Sequence, residues 1–156
     1  SFGFSTAITI SEMKNAASDI SFHFERHCRL NSRLRLKAFL LSVFKRYRTS
    51  LESLSVVFCS DDYLLEINRQ YLQHDYFTDI ITFNLGNDGD PIVGEIYISV
   101  DRVKENASSE KTPFSHELHR VIFHGVLHLC GFDDKMPAKK LAMTAAENRL
   151  LKQYLS

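Results

Sequence analysis

The feature that most constrains this chain of 156 residues is a pair of histidines, His124 and His128, spaced four residues apart. Residues four apart on an α-helix project from the same face, so two such imidazoles can bind one metal ion. Gly131 follows and lets the backbone leave the helix in a left-handed turn. We therefore expect the chain beyond Gly131 to return a third ligand, and Asp134 stands where that ligand would fall.

The spacing is that of the zinc-protease pattern H-E-x-x-H-x-x-G-x-x-H, with two changes. Gly125 replaces the glutamate that serves those enzymes as general base, and Asp134 replaces their last histidine. The pattern therefore predicts a metal site, and Gly125 argues against peptide hydrolysis. The alternative is a chance pair of histidines, because the chain contains seven of them.

The same segment resembles the signature of the YbeY family, bacterial endoribonucleases of rRNA maturation, which reads H-G-x-L-H-L-x-G-[YF]-D-H. Ten of the eleven positions in residues 124–134 agree, and the exception is Asp134, where the family usually has histidine. Residues 68–83 are similar to the family's N-x-x-Y-R-x-K-D-x-P-T-D-V-L-S-F, and residues 94–99 to its G-D-I-x-I-S strand. The similar segments follow one another in the family's order over roughly residues 50–150.

The resemblance implies a cytoplasmic, zinc-dependent endoribonuclease that cuts single-stranded rRNA. It implies a role at the 3′ end of small-subunit rRNA and in ribosome quality control. The partners would then be rRNA and the small ribosomal subunit or its proteins. The metal ligands would be His124, His128 and Asp134. Two imidazoles and a carboxylate suit Zn²⁺ and leave a coordination position open for water. A carboxylate in place of a neutral histidine should make the zinc a weaker Lewis acid.

Two residues near the expected metal are candidate catalytic groups. Arg120 lies one turn before His124 on the same predicted helix face, where its charge could hold a phosphate or balance a transition state. Its alternative role is structural pairing with Glu117 or another carboxylate. Asp133 precedes the third ligand, the family also has aspartate there, and it is a candidate base or hydrogen-bond acceptor.

The predicted metal helix has an apolar face and a polar one. The residues expected to pack on the sheet are Leu118, Val121, Ile122, Gly125, Val126 and Leu129. His116 and His119 face elsewhere, and we expect both to be surface residues. Cys130 follows His128 by two positions, so it should point away from the ligand face and not bind the metal.

One departure from the family pattern concerns activity. The family carries a functionally important arginine directly after the tyrosine equivalent to Tyr71, and this chain has Leu72 there. His74 stands where the family often has lysine, and Arg69 lies about one helical turn before Leu72. Either could supply positive charge, but neither inherits the arginine's role by alignment. Leu72 therefore bears on catalytic strength and not on the metal site.

The charges are unevenly distributed although the formal net charge is zero. Residues 26–48 contain eight arginines and lysines and no acidic residue. Such asymmetry favours a basic surface for a polyanion. A solvated helix face whose charges pair with acidic neighbours is the alternative.

The apolar periodicity predicts an α/β (α+β) fold, a mixed four-stranded sheet with about five helices, in a single domain over residues 1–156. The predicted strands are residues 19–24, 54–59, 79–85 and 93–99, the last two forming an antiparallel hairpin. The predicted helices are residues 33–47, one capped by Asp61 or Asp62 and running through Tyr71, one from about Val100, the metal helix opened by Thr112 and Pro113, and about 139–154.

The remaining features fit a cytoplasmic protein. No apolar run approaches the length that crosses a bilayer, and the N-terminal stretch lacks the pattern of a signal peptide. Cys28, Cys59 and Cys130 are scattered and odd in number, which disfavours a disulfide framework. The leading alternative function is a non-catalytic ribosome assembly factor with a structural zinc, and Leu72 favours it. A small metalloprotease is a third class, from which Gly125 removes the base.

Overall fold

A computed structural model describes Thr9 and residues 19–156. The strands are β1 (Ile20–Phe24), β2 (Leu51–Cys59), β3 (Ile80–Asn84) and β4 (Ile92–Ser99). The helices in the described part of the chain are α1 (Arg33–Arg46), α2 (Asp61–Leu72), α3 (Val100–Glu110), α4 (Phe114–Leu129) and α5 (Pro137–Leu155). These elements confirm the predicted mixed sheet with about five helices. Several boundaries agree with the predicted ones, and the others differ by one to three residues.

The four strands form one sheet in the order β1-β2-β4-β3. β1 and β2 are parallel, and β2 and β4 are parallel. β3 and β4 are antiparallel, with Ile80 opposite Ile98, so the predicted hairpin is confirmed. β3 is thus an edge strand of the sheet, and the chain leading into it comes directly from α2.

The two faces of the sheet carry separate apolar clusters. Ile80 packs against the large core, which also includes Phe44 of α1 and Phe123 of α4. Its neighbour Ile81 belongs to a smaller cluster with Leu64 of α2. Successive residues of a strand point to opposite faces, so α2 covers one face while α1, α3, α4 and α5 cover the other. The metal helix lies in the thicker layer.

Glycine allows α4 to approach the sheet closely. A Cβ atom placed on Gly125 would lie 2.9 Å from the Cδ1 atoms of both Ile80 and Ile96. The rest of the predicted apolar face of α4 is also buried, at Leu118, Val121, Ile122, Val126 and Leu129. The prediction that this face packs on the sheet is therefore confirmed.

The predicted N-cap of α2 is wrong. Ser60, not Asp61 or Asp62, caps α2, because its hydroxyl accepts a hydrogen bond from the Tyr63 N–H at 3.1 Å. Asp61 lies in the first turn, and one of its carboxylate oxygens is 3.1 Å from Arg102 Nε of α3. The carboxylate thus joins two helices instead of capping one.

The metal helix begins one residue later than predicted. Pro113 occupies the N-cap position with extended backbone angles, and Phe114 is the first helical residue. Thr112 lies outside the helix and provides no side-chain cap. A shift of one residue at the start leaves the face assignments of α4 unchanged, since those depend only on spacing within the helix.

The prediction that His119 is a surface residue is wrong. His119 is only 5% exposed, and its ring stacks on that of Tyr154 of α5 with centroids 5.1 Å apart. His119 Nδ1 lies 2.6 Å from the Ser115 carbonyl oxygen, while Nε2 has no hydrogen-bond partner. Burial lowers the pKa of His119. The hydrogen bond to the Ser115 carbonyl partly opposes this shift, and nearby positive charges add to it. Periodicity placed this residue away from the sheet but could not show that α5 packs there.

Candidate metal centre

Helix α4 brings the two predicted histidine ligands together. The Nε2 atoms of His124 and His128 are 3.0 Å apart. Asp134 Oδ2 lies 3.5 Å from the first and 3.6 Å from the second. These three residues offer ligand atoms that all lie within 4.8 Å of one another. The structure thus brings together the whole predicted ligand set.

The turn after α4 returns Asp134 to the histidines. Gly131 has a φ of 99°, which is the left-handed region that glycine tolerates best. The Phe132 N–H donates to the Leu127 carbonyl at 3.0 Å, so the chain folds back over the last helical turn. The left-handed turn predicted at this glycine is confirmed.

Both histidines have a fixed orientation because each Nδ1 has its own acceptor. His124 Nδ1 lies 2.6 Å from Glu147 Oε2, and His128 Nδ1 lies 3.1 Å from the Phe132 carbonyl oxygen. A carbonyl or carboxylate oxygen can only accept, so each Nδ1 donates and each Nε2 keeps its lone pair. The tautomer that metal binding requires is therefore the one that these contacts favour.

The convergent atoms fit a cation. When both imidazoles are neutral with the proton on Nδ1, their two Nε2 lone pairs and a carboxylate oxygen of Asp134 lie close together with no donor among them. Acceptors this close repel one another unless a proton or a metal ion lies between them. The donor set of two imidazoles and one carboxylate is one that divalent metals accept. Residues His124, His128 and Asp134 can therefore hold a metal ion.

Electrostatics at His124 favour positive charge. Burial lowers the pKa of His124, but the hydrogen bond and negative charge of Glu147, with Asp134 and Asp79, outweigh it and raise the pKa overall. A site that stabilises a proton on this imidazole through surrounding carboxylates also stabilises a metal cation there. Proton and metal therefore compete for the same nitrogen.

Glu147 was not anticipated from the sequence. It lies on α5 and is 8% exposed. One carboxylate oxygen accepts from His124, and the other lies 3.7 Å from Arg120 Nη1. A glutamate on a polar-looking helix has no local sequence signal for such a role. Only the packing of α5 on α4 places it behind the metal ligand.

Arg120 lies beside the ligands but already has partners. Its Nη1 donates to Asn148 Oδ1 at 2.6 Å, and its Nε lies 3.8 Å from Glu117 Oε1. Burial raises the pKa of Glu117, against the lowering effect of Arg120. Arg120 also lines a small cavity together with His124 and Asp134. The structural pairing and the position near the metal site thus coexist.

Asp133 is oriented differently from the neighbouring ligand. Its Oδ1 accepts from the Lys135 N–H at 2.7 Å, and Oδ2 lies 3.7 Å from Lys139 Nζ. The Lys135 N–H, supported by the charges of Lys139 and Lys135, lowers the pKa of Asp133. Neither cavity next to His124 has Asp133 in its wall. A carboxylate with a lowered pKa is a weak base.

Cys130 is not placed to bind the metal. It is half-buried, and burial raises the pKa of its thiol to about 11. A protonated thiol is a poor ligand. The group of residues that converge here does not include it.

A cleft of about 650 Å³ opens beside the ligands. Its walls include the three candidate ligands together with Leu72, His74 and Tyr76. Among the described residues that line the cleft there is no lysine or arginine. Leu72, the last residue of α2, thus faces the space where a substrate would meet the metal.

Asp79 is a partly buried acid near the ligands that the sequence did not single out. It lines the cleft and the small cavity, and its Oδ2 accepts from Asn106 Nδ2 at 3.4 Å. Burial raises the pKa of Asp79, although His124 and backbone hydrogen bonds oppose the shift. Its position just before the edge strand β3 carries it to the histidines.

Comparison with known proteins identifies the family. A family model described as "Endoribonuclease YbeY" matches residues 11–155. The chain belongs to the YbeY family. The segments that resembled the family in the sequence therefore belong to one continuous match, which includes the metal-site turn at 131–134.

Curated YbeY relatives support this membership. The Endoribonuclease YbeY of Phocaeicola vulgatus is 53% identical over 105 residues, or 67% of this chain and 75% of the relative. That of Flavobacterium psychrophilum is 44% identical over 135 residues, or 86% of this chain and 96% of the relative. A solution structure of a Thermotoga maritima protein matches with a TM-score of 0.57 and 25% identity, covering 86% of this chain and 88% of that one. This YbeY chain therefore shares its fold with a solved structure.

Proposed function

We propose that this chain is a zinc-dependent endoribonuclease that cleaves single-stranded rRNA. One observation carries the proposal: in a chain whose curated relatives are named endoribonucleases, three side chains that can bind a metal ion converge on one point. Two histidines and a carboxylate hold the catalytic zinc of hydrolases such as thermolysin, so this ligand set suits zinc. The site residues we propose are His124, His128 and Asp134.

The ligands and their partners divide the work. When bound, zinc lowers the pKa of a coordinated water and polarises a phosphoryl oxygen, as phosphodiester hydrolysis requires. His124, His128 and Asp134 would hold the ion. Glu147 and the Phe132 carbonyl keep the two imidazoles in the binding tautomer. The cleft then admits a single strand to the open side of the ligands.

Arg120 and Asp133 have proposed supporting roles. Arg120 lies in the wall of the small cavity with two of the ligands, so its charge would stabilise a phosphate that reaches this side. Its bond to Asn148 fixes the direction of the guanidinium. Asp133 closes the turn before Asp134 through the Lys135 N–H, and we assign it to positioning this ligand instead of to proton transfer.

The cellular role follows from the family. We propose that the substrate is the 3′ end of small-subunit rRNA, in the cytoplasm, with a further role in ribosome quality control and with the small subunit or its proteins as partners. Within residues 19–156, every helix is too short or too polar to span a bilayer. The basic residues of α1 remain the proposed contact for rRNA, since Arg33 and Arg35 are exposed.

A non-catalytic assembly factor is the second candidate function. The observation that favours it is the cleft, in which Leu72 stands at the arginine position of the family pattern and no lysine or arginine of the described residues is present. Without a cationic side chain in the cleft, the negative charge of a transition state there has only the metal and Arg120 of the neighbouring small cavity to stabilise it. On this alternative the zinc would be structural, and the protein would bind rRNA without cutting it.

Cleavage of single-stranded rRNA by metal-loaded protein separates the two functions. Wild type and His128→Ala are purified in parallel and tested with Zn²⁺ and with Mn²⁺. If the protein is an endoribonuclease, wild type cuts the RNA and His128→Ala does not, while both proteins bind it. Equal cleavage by the two proteins would reveal a contaminating nuclease and remove support for this proposal. Binding by both without any cleavage would favour the assembly factor.

A further inference from the structure

Two aromatic rings line the same cleft as the candidate metal ligands. His74 and Tyr76 lie in the segment between α2 and β3, and both line the cleft that His124 and His128 also line. Their rings stack with centroids 5.1 Å apart and an interplanar angle of 21°. The Tyr76 hydroxyl and His74 Nδ1 lie 3.0 Å apart. We call these two residues the aromatic pair.

The aromatic pair is exposed, so packing in the core does not explain it. Tyr76 is 56% exposed, and His74 is exposed as well. Each ring uses one face against the other, and neither belongs to the two apolar clusters of the described residues. Two aromatic rings displayed to solvent at the mouth of a binding cleft offer a flat apolar surface to a ligand.

The backbone that carries the aromatic pair is held in place. Asn68 of α2 is 1% exposed, and its Nδ2 donates to the Tyr76 carbonyl at 2.8 Å. The Asn68 carbonyl accepts from the His74 N–H at 3.1 Å. One buried side chain and its own backbone thus fix both ends of the pair. A ligand that stacks here does not have to order a mobile loop, which would weaken binding.

The charges of the cleft determine which part of an RNA can bind there. No lysine or arginine of the described residues lines it, whereas Asp79 and Asp134 do. Phosphates therefore find no cationic side chain in this space. Bases do find a partner, because unpaired bases stack on tyrosine and histidine rings in single-strand RNA recognition.

We propose that the aromatic pair of His74 and Tyr76 stacks against one unpaired base of the RNA and so positions the strand across the metal site. This inference rests on the proposed endoribonuclease function, since it takes single-stranded RNA as the substrate. It assigns affinity in the cleft to a base, and not to the phosphates. A paired base cannot reach the rings, so the pair also selects single strands.

The test is a substitution in the protein combined with a substitution in the RNA. Full-length protein in chelator binds a single-stranded RNA of roughly ten nucleotides, a span typical of one single-strand site, and a set in which each RNA lacks one base. In this set, the RNA that lacks the stacked base should bind wild type about tenfold more weakly than the intact RNA does. Tyr76→Leu should weaken binding of the intact RNA by a similar factor, and the same missing base should then cost nothing more.

Two control variants make the result specific. Tyr76→Phe keeps the ring and loses only the hydroxyl contact to His74. Its RNA affinity should stay within about twofold of wild type, because one exposed hydrogen bond contributes little. Tyr71→Leu removes an equally exposed tyrosine, 66% accessible, that lines a different groove and should leave RNA affinity unchanged. The Tyr76 carbonyl bond to Asn68 survives in every variant, and thermal unfolding of each variant verifies the fold.

The outcomes separate this inference from the proposed function. A missing-base effect that is equal in wild type and Tyr76→Leu, or that is absent at every position, overturns the stacking site. If the metal-loaded wild type still cleaves RNA in that case, the endoribonuclease stands. Wild type that neither binds nor cleaves single-stranded RNA would overturn both.

Discussion

Glu147 accepts a hydrogen bond from His124 Nδ1 at 2.6 Å, across the contact between α5 and α4. The acceptor is 8% exposed, so water competes little for it. The bond holds the imidazole in the tautomer whose Nε2 faces His128 and Asp134. The last helix of the chain is therefore part of the metal centre, although it supplies no ligand.

Removing this acceptor should weaken metal binding. We expect Glu147→Ala to lower zinc affinity by about 10- to 100-fold, the usual effect of losing a hydrogen-bond partner of a metal ligand. Glu147→Gln can still accept a hydrogen bond from Nδ1 and loses only the charge. Its zinc affinity should therefore lie between those of wild type and Glu147→Ala. Competition with a chromophoric chelator measures the affinities. Glu105→Gln, a change at an exposed glutamate of α3, should bind zinc as wild type does. Wild-type affinity in Glu147→Ala would disprove the positioning role.

The third ligand can be tested by exchange. Asp134→Ala should lose zinc affinity by at least about one to two orders of magnitude, more than typical losses from outer contacts. Asp134→His restores the usual residue of the family signature and should retain zinc. Metal content after dialysis against a fixed free-zinc concentration measures both. Equal zinc content in wild type and Asp134→Ala would remove Asp134 from the ligand set.

An arginine at position 72 should restore charge to the cleft. Leu72 is 39% exposed and lines the cleft, so Leu72→Arg can direct a guanidinium toward the bound phosphate. A charge-assisted hydrogen bond made in the transition state should raise the single-turnover cleavage rate about tenfold or more. Leu141→Arg adds the same charge at an exposed site of α5 and should not change the rate. Absence of cleavage in wild type and Leu72→Arg with every metal tested, while RNA still binds, would leave the assembly factor as the function.

The pH dependence of stability should change when His119 is replaced. Burial lowers the pKa of His119, so in the folded protein this histidine resists protonation. As the pH falls from the unfolded-state pKa toward the lower folded-state value, the unfolded chain takes up a proton that the folded chain does not, and stability decreases. His119→Phe should flatten that decrease below neutral pH. Urea unfolding of metal-free protein at several pH values measures it, and an unchanged slope would contradict the argument.

The basic face of α1 should contribute to RNA affinity through its charge. Arg33 and Lys37 lie over the rings of Phe24 and Phe22. Arg35 lies over the Tyr154 ring of α5 and also donates to the Tyr154 carbonyl. Arg33→Gln with Lys37→Gln should weaken RNA binding and reduce the slope of log affinity against log salt by roughly 0.7 for each phosphate that the protein no longer neutralises. Keeping Arg35 preserves the packing of α1 on α5. A salt dependence identical to that of wild type would exclude these residues from the RNA-binding surface.

The convergence of the three candidate ligands could be predicted because its information is local. His124 and His128 are one helical turn apart, and Gly131 marks the turn that returns Asp134. No tertiary contact is needed to place these groups near one another. The strands and helices were likewise predictable from apolar periodicity, since each element has to bury one face.

The rest of the site depends on packing between distant segments. Glu147 joins His124 across 23 positions of the chain, and Asp79 comes to the ligands only through the edge strand β3. His119 was expected on the surface because nothing in α4 indicates that Tyr154 covers it. Helix capping failed for a related reason: serine and aspartate are both good caps, and Arg102 from another helix engages Asp61.

Gly125 has a consequence for how this scaffold can change its chemistry. The position at which a zinc protease carries its general base is here pressed against Ile80 and Ile96, with no room for a further carbon at contact distance. A side chain introduced there would require the ends of the Ile80 and Ile96 side chains to move aside. The close contact between helix and sheet and the missing proteolytic base therefore share one position, and a glutamate at this codon would change the packing of the sheet together with the chemistry of the site.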